Sequence, residues 1–111
     1  MTFKEMVSRM LEGAKGNRTV ADELEKLNKS FQFNVTASDT FSLVLKPGEI
    51  SLKDGSISGP STTVSATEEV LNDVFSGKMD PVKAFMAGKL KVSGDIFAAQ
   101  KLTEIAKKAG K

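Results

Sequence analysis

The sequence predicts an α+β fold: a five-stranded, mostly antiparallel sheet with helices covering one face, in the order ααββββααβα. Three observations predict it. Near both ends, apolar residues recur at i, i+3, i+4 and i+7, the spacing that gathers side chains on one side of a helix. From residue 31 the apolar period changes to two, which gives each strand one apolar and one polar face. Turn signals such as Pro47-Gly48 and Asp54-Gly55 separate these runs.

Phe3, Met6, Val7, Met10, Leu11 and Ala14 form the first helical stripe, closed by Gly13 and Gly16. Thr19 is expected to cap a second helix, with Asp22 and Glu23 near its positive end and Val20, Leu24 and Leu27 on its apolar side. In the next run Phe31, Phe33 and Val35 share a face, while Gln32 and Asn34 take the other. Phe41, Leu43 and Leu45 alternate with Ser42, Val44 and Lys46 in a second strand. Glu49–Lys53 resumes the alternation, and after a loose stretch Thr62 and Val64 mark a fourth strand.

Helices return with Ser65 and Glu68, whose spacing fits a capping box, followed by apolar Val70, Leu71, Val74 and Phe75 and a terminating Gly77. Asp80-Pro81 starts a short helix carrying Phe85 and Met86, and Gly88 ends it. Lys89–Val92 reads as a fifth strand with Leu90 and Val92 turned inward. A crossover through two helices allows that strand to pair in parallel with a neighbour. Gly94-Asp95 opens the last helix, whose apolar side is Ile96, Phe97, Leu102, Ile105 and Ala106, with Lys107, Lys108 and Lys111 at its negative end.

The 111 residues are expected to form a single domain spanning 1–111. Sixteen basic and 14 acidic residues give a formal net charge of +2, too balanced for a nucleic-acid surface. The chain has no cysteine and no histidine. That removes thiolate nucleophiles, Cys-based zinc sites, the commonest metal ligand and the commonest acid–base catalyst near neutral pH. No spacing of carboxylates or lysines suggests another catalytic site, so no enzyme, metal or cofactor is expected. No apolar run is long enough to span a bilayer, and the first residues are amphipathic with acids among them, unlike a secretory signal. The expected compartment is the cytoplasm.

The run from Thr62 to Lys101, TTVSATEEVLNDVFSGKMDPVKAFMAGKLKVSGDIFAAQK, resembles the sterol carrier protein type 2 family. The motifs that carry the resemblance are GKMDP at 77–81, the bulky pair Phe85-Met86, and GKLKVSG at 88–94, followed by the final helix. The order of helices and strands is also the family's. The resemblance implies a small non-catalytic domain whose helices and sheet enclose an apolar tunnel for a fatty acid, fatty acyl-CoA, sterol or phospholipid. Lipid contacts would come from Phe33, Phe41 and Leu43 in the sheet, Val74 and Phe75 in the third helix, and Phe85 and Met86 in the fourth. Leu90 in the last strand and Ile96, Phe97, Leu102 and Ile105 in the terminal helix complete the set. A terminal helix tethered at one end is easier to displace than a central strand, so this helix is expected to serve as a lid.

Each of these residues has a second reading as plain core. Phe85 and Met86 diverge by about 100° on a helix, so one can face the sheet while its neighbour fills a gap. A lipid role is energetically sufficient: burying about ten methylenes at roughly 0.8 kcal/mol each gives on the order of 8 kcal/mol before ordering costs. That reaches micromolar affinity with little selectivity among chains. The terminal lysines offer a transient contact with anionic headgroups at a membrane surface. The alternative is a ligand-free accessory or protein-interaction module of the same fold.

Overall fold

The computed structural model describes residues 2–109. Helix α1 (Phe3–Lys15) begins at a capping box, where the Thr2 hydroxyl accepts from the Glu5 N–H and the Glu5 carboxylate accepts from the Thr2 N–H. Phe3, Val7, Leu11 and Ala14 are its buried stripe. Helix α2 (Arg18–Leu27) is capped by Asn17 rather than Thr19. The Asn17 side-chain oxygen accepts from Val20 N–H at 3.3 Å, and its carbonyl already takes the Ala21 N–H. Asparagine caps as well as threonine, so the helix begins at the first residue able to do both.

Strands β1 (Lys29–Val35), β2 (Thr40–Lys46), β3 (Glu49–Asp54), β4 (Thr62–Ala66) and β5 (Lys91–Gly94) form one sheet in the order β3-β2-β1-β4-β5. The β1–β4 pair is parallel and the other three pairs are antiparallel. The parallel pair is therefore not the one the crossover allowed. Helix α3 (Glu68–Ser76) and helix α4 (Pro81–Met86) lie between β4 and β5, and two helices return the chain to the end it left. Lys91 accordingly pairs with Ser65, and Gly94 with Thr62. The fifth strand also starts two residues later than the alternation predicts, because Lys89 and Leu90 donate their N–H groups to the Ala84 carbonyl at the end of α4.

β3 ends at the opposite end of the sheet from the start of β4, so residues 55–61 cross its polar face. The Ser42 hydroxyl donates to the Gly55 carbonyl at 2.8 Å, Ile57 N–H to the Gln32 side chain at 3.4 Å, and Ser61 N–H to the Ser30 hydroxyl at 3.1 Å. This crossing explains why Ser42 is fully buried. The other face carries Phe31, Phe33, Val35, Phe41, Leu43, Leu45, Val64 and Ala66, all buried under the helices.

Ser65 does not cap α3. Its backbone belongs to β4, and Thr67 caps instead, its hydroxyl accepting from Val70 N–H at 3.2 Å. Asp80 caps α4 through the N–H groups of Val82 and Lys83 at 2.8 and 3.3 Å, with Pro81 in the first turn. Helix α5 (Ile96–Ala109) begins after Asp95. Of the lysines expected at its end, Lys108 pairs with Glu23 of α2 at 3.2 Å, and Lys111 lies outside the described residues.

The β5–α5 junction presses on the start of β4. Gly94 has φ +90°, and a Cβ there would sit 2.3 Å from the Ser61 carbonyl oxygen. Backbone cannot yield as a flexible side chain does, and the positive φ adds its own strain. Gly94→Ala is expected to lower stability by about 2 kcal/mol, read as a fall in the urea midpoint.

Candidate functional site: an apolar cavity beneath α4 and α5

Between the sheet and its helical cover lies a cavity of about 130 Å³. Phe31 and Phe33 of β1, Val64 of β4 and Val92 of β5 form its floor, and Leu90 closes the β5 side. Phe75 of α3 and Pro81, Val82 and Phe85 of α4 form one wall. Ile96, Ala99, Gln100, Leu102 and Thr103 of α5 form the other. Ile96, Ala99, Gln100 and Thr103 follow the i, i+3, i+4, i+7 spacing, so one continuous stripe of α5 faces the hollow. Ala99 is the smallest side chain of that stripe.

No charged side chain lines the cavity. Thr103 spends its hydroxyl inside its own helix, donating to the Ala99 carbonyl at 2.9 Å. Gln100 lies at the exposed rim. Walls of this kind offer few hydrogen-bond partners to water and suit an apolar guest.

The aromatic side of the floor is rigidly packed. Phe33 meets Phe41 at 5.2 Å between ring centroids, Phe3 at 5.3 Å and Phe75 at 5.9 Å. Phe3 in turn meets Phe75 at 4.9 Å, edge to face. Phe3 thereby fixes α1 against the sheet and supports the cavity from behind.

Of the residues expected to contact lipid, Phe33, Phe75, Phe85, Leu90, Ile96 and Leu102 line the cavity. Phe41, Leu43, Val74 and Ile105 are buried in the core away from it. Met86 and Phe97 are neither: they are 79% and 81% exposed. The divergence of Phe85 and Met86 thus has a definite outcome, with Phe85 at the cavity's lip and Met86 in solvent. Sequence reasoning did not single out Phe31, Val64, Pro81, Val82, Val92, Ala99, Gln100 or Thr103 as lining. For the α5 residues the signal was available in the spacing from Ile96, which passes through Ala99 and Gln100 to Thr103.

Asp95 holds the lip in place. Its carboxylate accepts from Ala98 N–H at 3.0 Å and pairs with Lys29 at 3.1 Å, while Thr62 donates its hydroxyl to the Asp95 carbonyl at 2.9 Å. The Ala98 N–H, and after it the Lys29 ammonium, hold the Asp95 pKa below the usual aspartate value. A lowered folded-state pKa lends stability that is present above the ordinary aspartate range and lost as pH falls through the lowered value. Asp95→Asn keeps a capping oxygen but loses the charge. Its melting temperature is expected to lie below that of the wild type at neutral pH, the difference shrinking as pH falls below the usual aspartate range and vanishing below the lowered value.

Helices over one face of a mixed sheet, with an apolar hollow between, define an α+β domain with an uncharged, apolar site. The chain belongs to the SCP-2 sterol transfer family, whose family model matches residues 8–107. Mouse peroxisomal multifunctional enzyme type 2 is 32% identical over 111 residues, covering 93% of this chain but 15% of that protein. The chain spans a fifth or less of the length of the first larger relatives it matches. Sterol carrier protein 2 of Arabidopsis thaliana is 31% identical over 85 residues, which cover 71% of this chain and 69% of that protein. The fold is shared with palmitated SCP2L2 of Aedes aegypti, at a TM-score of 0.71 and 24% identity over 96% of this chain and 95% of the other. Among the described residues, no helix is long and apolar enough to cross a membrane.

Proposed function

We propose that the protein is a non-catalytic lipid carrier working in the cytoplasm. The aliphatic part of a fatty acid, fatty acyl-CoA, sterol or phospholipid occupies the cavity, and its polar end stays at the lip between α4 and α5. The observation that carries this reading is a hollow between sheet and helices with apolar walls and no charge. Membership of the family and the palmitated state of the Aedes relative support it. The absence of histidine and cysteine, with no acid or base lining the cavity, supports a carrier over an enzyme.

A void of this size takes a group about as large as benzene, which fills an engineered cavity of about 150 Å³. A long chain therefore requires a wall to move, and α4, rather than the terminal helix expected as a lid, is the wall that yields. It buries only Ala84 of its six residues and lies between Gly77 and Gly88, both at positive φ. Few buried contacts make such a segment cheap to displace. Since each methylene adds only about 0.8 kcal/mol, the carrier accepts chains of many kinds.

The test is mass spectrometry of an organic extract of the purified protein, followed by titration with a fluorescent fatty acid. A co-purifying lipid or saturable micromolar uptake is expected. An empty extract together with no uptake would contradict the carrier reading. It would favour the second reading, a ligand-free interaction module, for which the small volume of the hollow is the specific argument.

A further inference from the structure

We propose that the lip formed by α4, the start of β5 and the first turn of α5 docks the protein on a membrane surface bearing anionic lipid headgroups. The large apolar side chains exposed among the described residues are Val82, Phe85, Met86, Ile96 and Phe97. All five lie on the two elements that border the cavity mouth. Apolar side chains gathered in one exposed patch mark an interaction surface.

The charges around the patch choose the partner. Between residues 78 and 101 there are five lysines and two aspartates, an excess larger than that of the whole chain. Both aspartates are occupied, Asp80 in capping α4 and Asp95 in capping α5 and pairing with Lys29. Lys83 shares α4 with Met86, three positions apart, and Lys101 follows Phe97 by four on α5, so each lysine lies on the same helix face as an exposed apolar residue. Lys89 sits in the link between α4 and β5. None of these three lysines makes an ion pair among the described residues.

A surface of this kind inserts its apolar side chains at the headgroup boundary while the lysines stay among the phosphates. A second copy of the chain fits poorly, because a two-fold contact through the patch would set its lysines against their own copies. The terminal lysines are a weaker candidate, since Lys108 already pairs with Glu23. Docking here sets the cavity mouth against the bilayer, so that a chain passes between them without crossing water.

The inference goes beyond the carrier reading and is tested separately, by sedimentation with vesicles of phosphatidylcholine containing phosphatidylserine and with vesicles of phosphatidylcholine alone. Wild-type protein is expected to sediment with the anionic vesicles and to be released by salt. The Met86→Ser/Phe97→Ser pair and the Lys83→Gln/Lys101→Gln pair are each expected to lower partitioning on the order of tenfold, with melting temperatures unchanged. Equal binding to both vesicles, binding that neither pair weakens, or a wild-type dimer or partner complex that ignores vesicles would each overturn it. Fatty-acid uptake by a protein that ignores vesicles would remove the docking surface and leave the carrier standing.

Discussion

Phe33→Ala is expected to lower the unfolding free energy by about 3–5 kcal/mol. Phe33 is fully buried and its ring contacts Phe3, Phe31, Phe41 and Phe75. Truncation removes the buried ring and four aromatic contacts at once. It also joins the new void to the existing cavity, and the central strand on which Phe33 sits cannot collapse to refill it. For a domain whose total stability is of order 5–15 kcal/mol, the loss is severe. Urea unfolding followed by circular dichroism measures it, since the chain has no tryptophan or tyrosine for fluorescence. If the cavity takes aliphatic guests, added fatty acid stabilises the variant as well as the wild type, because the enlarged hollow still accepts the chain. A loss under about 1 kcal/mol would show that the aromatic cluster does not hold the floor together.

Ala99→Phe is expected to weaken fatty-acid binding by about tenfold or more while the fold persists. The side chain faces the hollow from the middle of the α5 stripe. The substitution adds a phenyl ring, about the group that a void of this size admits. The protein's own ring then occupies the space that the guest needs. Overpacking costs roughly 1–3 kcal/mol where the ring fits badly, so the smaller Ala99→Leu serves alongside it. Melting curves and binding isotherms of the same two variants separate a blocked cavity from a damaged fold. Full affinity in a folded Ala99→Phe variant would move the binding site elsewhere.

These two effects rest on features that differ in how legible they are. The floor was readable because strict alternation in Phe31–Val35 and Phe41–Leu45 assigns each side chain to a face, and the structure keeps every one of those assignments. Helix starts were readable only to within two residues. Asn17 and Thr19 both have capping side chains, as do Ser65 and Thr67, and the choice depended on which backbone a neighbouring strand or helix had already claimed. The pairing of β5 depended on counting helices in a crossover, and the route of residues 55–61 over the polar face leaves no periodic mark.

The cavity was legible as a family expectation and as an excess of apolar residues, but not by position. Phe33, Phe75 and Leu102 reach it, whereas Phe41 and Leu43 on β2, Val74 on α3 and Ile105 on α5 fill neighbouring core. Periodicity says which face is apolar and is silent about where that face is left unfilled. The vacancy depends on the sizes of the opposing side chains, and the small Ala99 is among those that face it. The exposure of Met86 and Phe97 was equally hidden, since both are apolar residues on amphipathic helices next to ones that face inward.

Solution NMR with an isotope-labelled long-chain fatty acid tests most directly the proposal that the hollow under α4 and α5 accepts an aliphatic chain. Proton contacts from the ligand's methylenes to Phe33, Phe75, Ala99 and Leu102, with the largest backbone shifts in 81–88, are the expected result. Saturable binding whose methylene contacts fall elsewhere, with those four side chains unperturbed, would contradict it.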